Sequence, residues 1–286
     1  MGNRRPAVEP ATHSILHQLR QNIQQLESAT RADDNSVVQT GIRGLDQLLP
    51  HGGYRRGTIA EWIIAPRAFG RLSRSSGSAS ADFLSLATAS AAAEDGGAIV
   101  IADPHRQFYP PAAAAMGLNL GNMIILRPAQ TGGSYTSTHQ NELYWAIDQS
   151  LRCSAVAAVW GALDCIGERW FRRFQLSAES SGCMGLFVRP PTALNRPSWS
   201  EVQWQVTPKP TEDQTKHLRH VQLELLRCRG GRTGRQINLA IDTITGSVHC
   251  PRVHREDERT PITTKPKPIH SSRHSSPHLQ PQSRVS

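Results

Sequence analysis

"VVQTGIRGLDQLLPHGGYRRGTIAEWII", residues 37–64, begins with a glycine-bracketed turn and ends in an apolar run. Gly41 and Gly44 frame the turn, and a short helix is predicted after it. The apolar face of that helix consists of Leu45, Leu48 and Leu49. The pair Gly52-Gly53 ends the helix, and residues 58–64 have the continuous apolar character of a strand buried on both faces.

Beyond this stretch, short apolar runs alternate with helical patterns. Strands are predicted at residues 98–102, 123–127, 155–161 and 184–190. Helices are predicted at residues 82–93, 111–117, 141–152 and 168–180, with Asp82 as the N-cap of the first. Strands that alternate with helices of this length are typical of a doubly wound α/β core with a parallel sheet.

The last part of the core changes pattern. Residues 201–208, 219–229 and 235–242 alternate apolar and polar side chains with a period of two, and the glycine-rich stretch 230–234 is typical of a hairpin connection. The predicted fold class is therefore α/β, a mostly parallel sheet with helices on both faces and a C-terminal antiparallel hairpin extension.

Three regions are predicted along the chain. Residues 1–36 form an N-terminal arm with an amphipathic helix at 12–29, residues 37–250 form the core, and residues 251–286 form a basic tail rich in Pro, Ser and His that stays unfolded. The apolar seam of the arm helix consists of Leu16, Leu19, Ile23 and Leu26. Two heptads are too short for a stable coiled coil alone, so the seam docks on its own domain, on a second copy, or on a foreign partner.

Composition narrows the class of protein. The 286 residues carry 32 Lys+Arg against 23 Asp+Glu, which gives a net charge of +9 and favours a partner rich in phosphate or carboxylate. Five cysteines without a C-x-x-C pair indicate neither a disulfide framework nor a zinc site. The sequence contains no run of 18 apolar residues and no apolar core of a signal peptide. We therefore expect a cytoplasmic protein without a membrane partner. If the protein binds DNA, we expect it to be associated with the nucleoid.

The order of these elements resembles RecA-type ATPase cores. "TGIRGLDQLLPHGGYRRGTIAEW" is similar to the segment that leads into the P-loop strand of those proteins, residues 102–128 to the next strand-and-helix unit, and residues 141–163 to the unit that carries the Walker B carboxylate. The resemblance covers about residues 37–242. Within the superfamily the chain is most similar to ImuA-type proteins of bacterial mutagenesis cassettes. That likeness is carried by "ILHQLRQNIQQLE", "LLPHGGYRRG", "RRFQLSAESSGCMGLFVRP" and "LELLRCRGGRTG".

The resemblance implies a P-loop that has lost its chemistry. The motif G-x-x-x-x-G-K-[ST] holds phosphate with backbone N–H groups and a lysine, and Mg²⁺ with a hydroxyl. Its positions here hold Ala65, Gly70, Arg71 and Leu72, and Ser73 is one place late. A second placement on "SGSASADF", residues 76–83, contains no lysine. An anion site at Arg67, Arg71 and Arg74 stays open beside the interpretation that these are solvated loop arginines.

The same resemblance indicates that two further catalytic positions of RecA-type ATPases hold other residues in this chain. The water-activating glutamate corresponds to Pro104, and the Walker B aspartate corresponds to Gly161 or Ala162. Asp103 and Asp164 lie nearby but at other positions. The resemblance therefore predicts a protein that is not an enzyme, with no bound cofactor and no metal.

What the resemblance implies is an adaptor for damage-induced (SOS) error-prone translesion DNA synthesis. The expected partners are an ImuB-like protein of the polymerase family, RecA, and DNA bound by the tail or by a basic hairpin. The hairpin arginines are Arg227, Arg229, Arg232 and Arg235, which equally suit a solvated edge. The alternatives are a DNA-dependent RecA/RadA-like ATPase of recombination or repair and a SulA-type cell-division inhibitor.

Aromatic residues give two more predictions. Tyr54 with Arg55 and Arg56 either stacks on a base or forms part of a structural turn. Four bulky residues on the later helical units are predicted to pack in the core or at an interface: Trp160, Trp170, Phe171 and Phe174.

Overall fold

A nine-stranded sheet forms the centre of the computed structural model, which describes residues 37–66, 77–115, 117–128, 136–210 and 217–250. The strands are β1 (Val37–Val38), β2 (Tyr54–Arg55), β3 (Ile59–Ile64), β4 (Ala98–Ala102), β5 (Met123–Leu126), β6 (Val156–Ala162), β7 (Met184–Arg189), β8 (Val202–Pro208), β9 (Leu218–Cys228), β10 (Gln236–Asp242) and β11 (Val248–His249). The helices are α1 (Arg43–Asp46), α2 (Gly77–Ala92), α3 (Pro110–Ala115), α4 (Ser137–Leu151) and α5 (Glu168–Ser181). The sheet order is β11-β10-β9-β8-β3-β7-β6-β4-β5, and β1 pairs with β2 separately.

Six neighbouring strands, from β5 to β8 in the sheet order, are parallel. The central strand β3 lies between β7 and β8, and all but its last residue are buried. Its run of Ile, Ala and Trp side chains suits a strand covered on both faces. The predicted doubly wound α/β core is therefore confirmed, and the strand at residues 98–102 has the predicted bounds.

Strands β9, β10 and β11 continue the sheet in antiparallel fashion. The C-terminal antiparallel extension is thus also confirmed. Residues 201–208 form β8, which belongs to both parts of the sheet, because it pairs in antiparallel fashion with β9 and in parallel with β3 through Ala60 and Val202. A period of two arises here because only one face of β8 is buried, which the pattern alone does not distinguish from an antiparallel strand.

Helix α2 covers one face of the sheet and contacts β3, β6, β7 and β8. Alanine and serine side chains allow it to lie close to the strands, and Trp160 Nε1 donates a 2.7 Å hydrogen bond to Ser85 Oγ. The prediction that Asp82 caps this helix is wrong. The helix begins at Gly77, so Asp82 lies inside it.

Helices α4 and α5 cover the opposite face and pack against each other. Thr136 caps α4 in a reciprocal capping box with His139, which moves the helix start upstream of the predicted Asn141. Helix α5 ends at Gly182, whose left-handed backbone (φ 79°) suits glycine at a helix C-terminus. The prediction of core packing is confirmed for Trp160, Phe171 and Phe174, which are buried, and Trp170 packs against Phe174.

Residues 38–54 belong to the same hydrophobic cluster as α2 and the inner face of β8–β10. Leu45 and Tyr54 are buried there, and Trp204 Nε1 of β8 donates a 2.6 Å hydrogen bond to Tyr54 Oη. Trp204 also stacks on Trp62 with 5.9 Å between ring centroids. Residues 38–54 therefore pack on the apolar face of β8, β9 and β10.

Several predictions fall outside the described residues. These are the arm helix 12–29 with its Leu16, Leu19, Ile23 and Leu26 seam, the tail 251–286, and the loop that contains Gly70, Arg71, Leu72 and Ser73. Within the described part of the chain, no helix has the length and apolar character needed to cross a membrane.

Candidate functional site

The carboxyl ends of the parallel strands are where open α/β sheets bind ligands. At this edge β3 is followed by Ala65, β4 by Asp103 and Pro104, and β6 by Leu163 and Asp164. Ala65 is buried, and its N–H donates a 2.9 Å hydrogen bond to the carbonyl of Val206. Ala65, which the sequence resemblance matches to the first P-loop position, thus continues the pairing between β3 and β8.

Asp103 is buried, and both oxygens of its carboxylate contact donors of neighbouring residues. Oδ1 accepts a 2.7 Å hydrogen bond from the Gln107 N–H, and Oδ2 lies 2.9 Å from Arg127 Nη2. Pro104, which the sequence resemblance matches to the water-activating glutamate, is buried and carries no acid or base. The contacts of Asp103 orient it toward the connection after β4 and toward β5, where Arg127 follows the strand.

Gly161, which the sequence resemblance matches to the Walker B position, lies at a point where two strands approach closely. A Cβ atom at this residue would lie 3.1 Å from the Cβ of Ala102 and 3.2 Å from its carbonyl oxygen. Gly161 and Ala102 are paired across β6 and β4, so a residue with a Cβ atom would need Ala102 to move by a few tenths of an ångström. The local packing is therefore tight at this glycine.

Asp164 lies three residues further on, 58% exposed, with its Oδ2 3.5 Å from Nε2 of His105. This pair joins the ends of β4 and β6 at the surface. Among the residues that the structure describes, no three His, Cys, Asp or Glu side chains cluster in a way that could hold a metal ion.

The basic hairpin between β9 and β10 is tied to its own domain at three of its four arginines. Arg227 Nη1 donates to the Ser198 carbonyl at 2.7 Å, and Arg235 Nη1 donates to the Gln47 carbonyl at 3.2 Å. Arg229 lies 3.6 Å from the Glu201 carboxylate. Arg232 is exposed and forms no ion pair with any residue in the described ranges. The structure thus brings the hairpin against the amino end of β8, and only Arg232 projects without such a contact.

Tyr54 does not form a stacking platform. It is 1% exposed, and burial raises the pKa of its phenol well above the ordinary value. Arg55 pairs with Glu201 at 3.1 Å, and Arg56 pairs with Asp95 at 2.9 Å. Of the two interpretations left open by the sequence, the structural turn is confirmed.

A cleft of about 430 Å³ opens beside the start of α5. Its lining residues are Glu168, Leu194, Arg196, Pro197, Ser198, Trp199, Gln203 and Arg227. Of these, sequence reasoning singled out Arg227 alone. The signal that was available is the interleaving of Arg196 and Trp199 in "RPSW", a combination typical of nucleic-acid-binding surfaces.

A buried ion pair fixes one wall of this cleft. Glu61 of β3 and Arg189 of β7 are each 2% exposed in their side chains, and Arg189 Nη1 lies 2.8 Å from Glu61 Oε1. The other oxygen of Glu61 accepts hydrogen bonds from Ser198 Oγ, Ser200 Oγ and the Gln203 amide, at 2.6, 3.0 and 2.7 Å. Burial lowers the pKa of the Arg189 guanidinium, and the Glu61 carboxylate opposes that effect.

A second buried carboxylate, Asp148, joins α4 to α5. Its side chain is fully buried, and it accepts from Ser177 Oγ at 2.7 Å, Arg173 at 2.8 Å and Arg152 at 3.0 Å. Burial alone would raise the pKa of this carboxyl, but the hydrogen bonds from Ser177, Arg152 and Arg173 outweigh it and hold the pKa below the ordinary value.

We expect Asp148 to make stability depend on acid pH. Its folded-state pKa is depressed, so its contribution is present above the unfolded-state pKa of 3.8 and is lost as pH falls through the folded-state pKa. Asp148→Asn should lower the free energy of unfolding at pH 7 by about 2 kcal/mol. Urea unfolding from pH 7 to pH 3 would measure this, and the mutant should lose less stability across the acid range than the wild type. An unchanged acid slope would contradict the assignment.

Comparison with known proteins supports the fold. One similar solved structure is that of the RadB recombinase, with 16% sequence identity and a TM-score of 0.51 over 73% of this chain and 97% of that chain. No protein-family model and no curated protein matches the sequence. At this identity the likeness concerns architecture, and it agrees with the strand order and the helices on both faces of the sheet. The chain has the RecA-like α/β fold.

Proposed function

We propose that this chain is a non-catalytic RecA-like adaptor that supports damage-induced error-prone translesion DNA synthesis. In this proposal it binds an ImuB-like partner of the polymerase family, and also RecA or DNA. The sequence resemblance to ImuA-type proteins motivates the pathway. The single observation that carries the non-catalytic part is the packing at Gly161.

In the RecA-type arrangement the Walker B aspartate holds the magnesium water shell from the end of its strand. Here that position is Gly161, and a Cβ atom there would lie 3.1 Å from the Cβ of Ala102 on the next strand, which is a tight contact. The position thus lacks a carboxylate, and an aspartate there would crowd Ala102 of β4.

The neighbouring acid does not replace the missing base. Asp103 is held by Arg127 and by the Gln107 N–H, and the residue that follows it is proline. An attacking water needs a base with an oxygen directed at the nucleotide. Both oxygens of Asp103 already accept hydrogen bonds from the protein, which supports a structural role.

The alternative function is a DNA-dependent ATPase of the RecA/RadA type. The observation that favours it is the exposed Asp164–His105 pair, because both residues lie at the edge where such enzymes bind nucleotide. A SulA-type cell-division inhibitor would use the same fold as a protein-binding block. Capture by a division protein instead of a polymerase-like partner would favour it.

Calorimetry with ATP and Mg²⁺, with and without single-stranded DNA, tests the non-catalytic proposal. We expect no saturable binding at micromolar nucleotide and no phosphate release above the buffer rate, because the residues that would hold magnesium and activate water have been replaced. Micromolar binding accompanied by turnover would defeat the adaptor proposal and support the ATPase.

Partner capture from cells that carry a mutagenesis cassette completes this test. The full chain should retain a polymerase-family protein, and deletion of residues 12–29 should abolish that capture if the arm seam is the docking element. A chain lacking only the longer tail segment 251–286 serves as the control. Capture that survives removal of both the arm helix and the hairpin 229–235 would contradict these elements as the contacts.

A further inference from the structure

The connection between the parallel strands β7 and β8 contains no α-helix. β7 and β8 lie on either side of β3, and parallel strands of one sheet are usually joined by a helical crossover that covers the sheet. Here residues 191–195 form one 3-10 turn, and residues 196–201 continue without helix or strand to the start of β8. The cleft of about 430 Å³ lies along this connection, between the start of α5 and β9.

Two guanidinium groups line this cleft, and a third packs on its tryptophan. Arg196 and Arg227 line it, and the guanidinium carbon of Arg172 lies 4.4 Å from the centre of the Trp199 ring, which is part of the lining. Glu168 is the one carboxylate among the lining residues. Positive charge therefore predominates, which favours an anionic ligand.

The arginines keep donors for such a ligand. Arg196 Nη1 donates to the Cys165 sulfur at 2.8 Å, and Arg227 Nη1 donates to the Ser198 carbonyl at 2.7 Å. A guanidinium carries five N–H donors, so one such bond orients each side chain and leaves most of its donors for phosphate oxygens. Both side chains are exposed.

The cleft is also preorganised around its aromatic residue. Ser198 and Gln203 are fixed by hydrogen bonds to the buried Glu61 carboxylate. Trp199 lies between them in the chain, partly buried against the α4–α5 core and stacked with Arg172. A rigid site loses less entropy on binding than a mobile one.

We propose that this cleft holds one or two nucleotide units of single-stranded DNA, with phosphate on Arg196 and Arg227 and a base against the Trp199–Arg172 stack. Indole and guanidinium planes both stack on bases, a contact that contributes about 1–3 kcal/mol per base. A duplex keeps its bases inside the helix and presents none to a cleft of this size. This inference rests on the proposed function, because it says where the adaptor contacts DNA.

The test uses the full chain and fluorescein-labelled dT12, with fluorescence anisotropy at several salt concentrations. Arg196→Ala combined with Arg227→Ala should weaken binding about tenfold and reduce the salt slope by about 1.4, since each single-strand phosphate contact contributes about 0.7. Trp199→Ala should weaken binding by a similar factor without changing the slope. Duplex of the same length should bind more weakly than dT12.

The matched control removes the same charge from the hairpin. Arg232→Ala combined with Arg235→Ala should change dT12 affinity less than twofold. Equal or greater loss in this control, unchanged affinity in the cleft variants, or tighter binding of an acidic phosphopeptide than of dT12 would each overturn the proposal. Thermal unfolding of every variant checks that the fold is intact.

Partner capture by the same variants separates this inference from the proposed function. The cleft variants should retain the polymerase-family partner while losing dT12. If the wild-type chain binds dT12 through the cleft but captures no such partner, the adaptor proposal fails and the cleft assignment stands.

Discussion

Replacing Glu61 with alanine is expected to lower the free energy of unfolding by about 3–5 kcal/mol, because it leaves a buried arginine without its counter-charge. Arg189 is 2% exposed, and its Nε is buried without a hydrogen-bond partner among the described residues. The Glu61 carboxylate is therefore the group that balances this charge. Ser198, Ser200 and Gln203 would lose the same acceptor.

Urea unfolding followed by circular dichroism at pH 7 would measure this loss. Glu142→Ala is the control, because it removes the same group from the exposed side of α4, and it should change stability by less than about 0.5 kcal/mol. Glu61→Gln should fall between the two, since the amide retains hydrogen bonds but not the charge. A loss for Glu61→Ala no larger than that of the control would show that the pair carries little of the stability.

This ion pair also explains how the cleft is built. Glu61 belongs to the central strand β3, Arg189 to β7, and the hydroxyl and amide donors to residues 198–203. One carboxylate thus fixes the helix-free connection onto the sheet. The Glu61→Ala variant should consequently weaken dT12 binding even under conditions where the protein remains folded.

The strand pattern of the core could be predicted from sequence because buried parallel strands are short apolar runs, which differ clearly from the helical patterns between them. Residues 98–102 have the predicted bounds, and residues 123–127 differ from β5 by one residue. Helix starts were less accurate. Asp82 has the chemistry of an N-cap, but the small residues upstream extend α2 to Gly77, and Thr136 rather than Asn141 marks the start of α4.

The cleft could not be predicted because its contacts are long-range. Glu61 and Arg189 are separated by 128 residues, and Arg172 and Trp199 belong to different elements. A glutamate within an apolar strand gives no local sign of its partner. The sequence shows the hairpin arginines as a basic group, but it could not show that Arg227 faces the cleft while Arg235 bonds to the Gln47 carbonyl.

The second large loss of stability is expected on substitution of Trp204, because this residue of β8 links residues 38–54 to the C-terminal strands. Its side chain is fully buried, stacks on Trp62, and donates to Tyr54 Oη at 2.6 Å. Trp204→Ala should lower the free energy of unfolding by about 3–5 kcal/mol, because it creates a large cavity and removes the donor to a buried phenol. Chemical denaturation would measure this.

Two milder variants separate the cavity from the hydrogen bond. Trp204→Phe keeps most of the apolar volume and removes the indole N–H, whereas Tyr54→Phe keeps both rings and removes the acceptor, so each should cost about 1–3 kcal/mol. Hydrogen exchange should then show the first loss of protection in residues 38–54 and in β8–β10, which meet at this contact. Loss of protection that begins instead in α4 and α5 would mean that Trp204 does not connect the stretch "TGIRGLDQLLPHGGY" to the C-terminal strands.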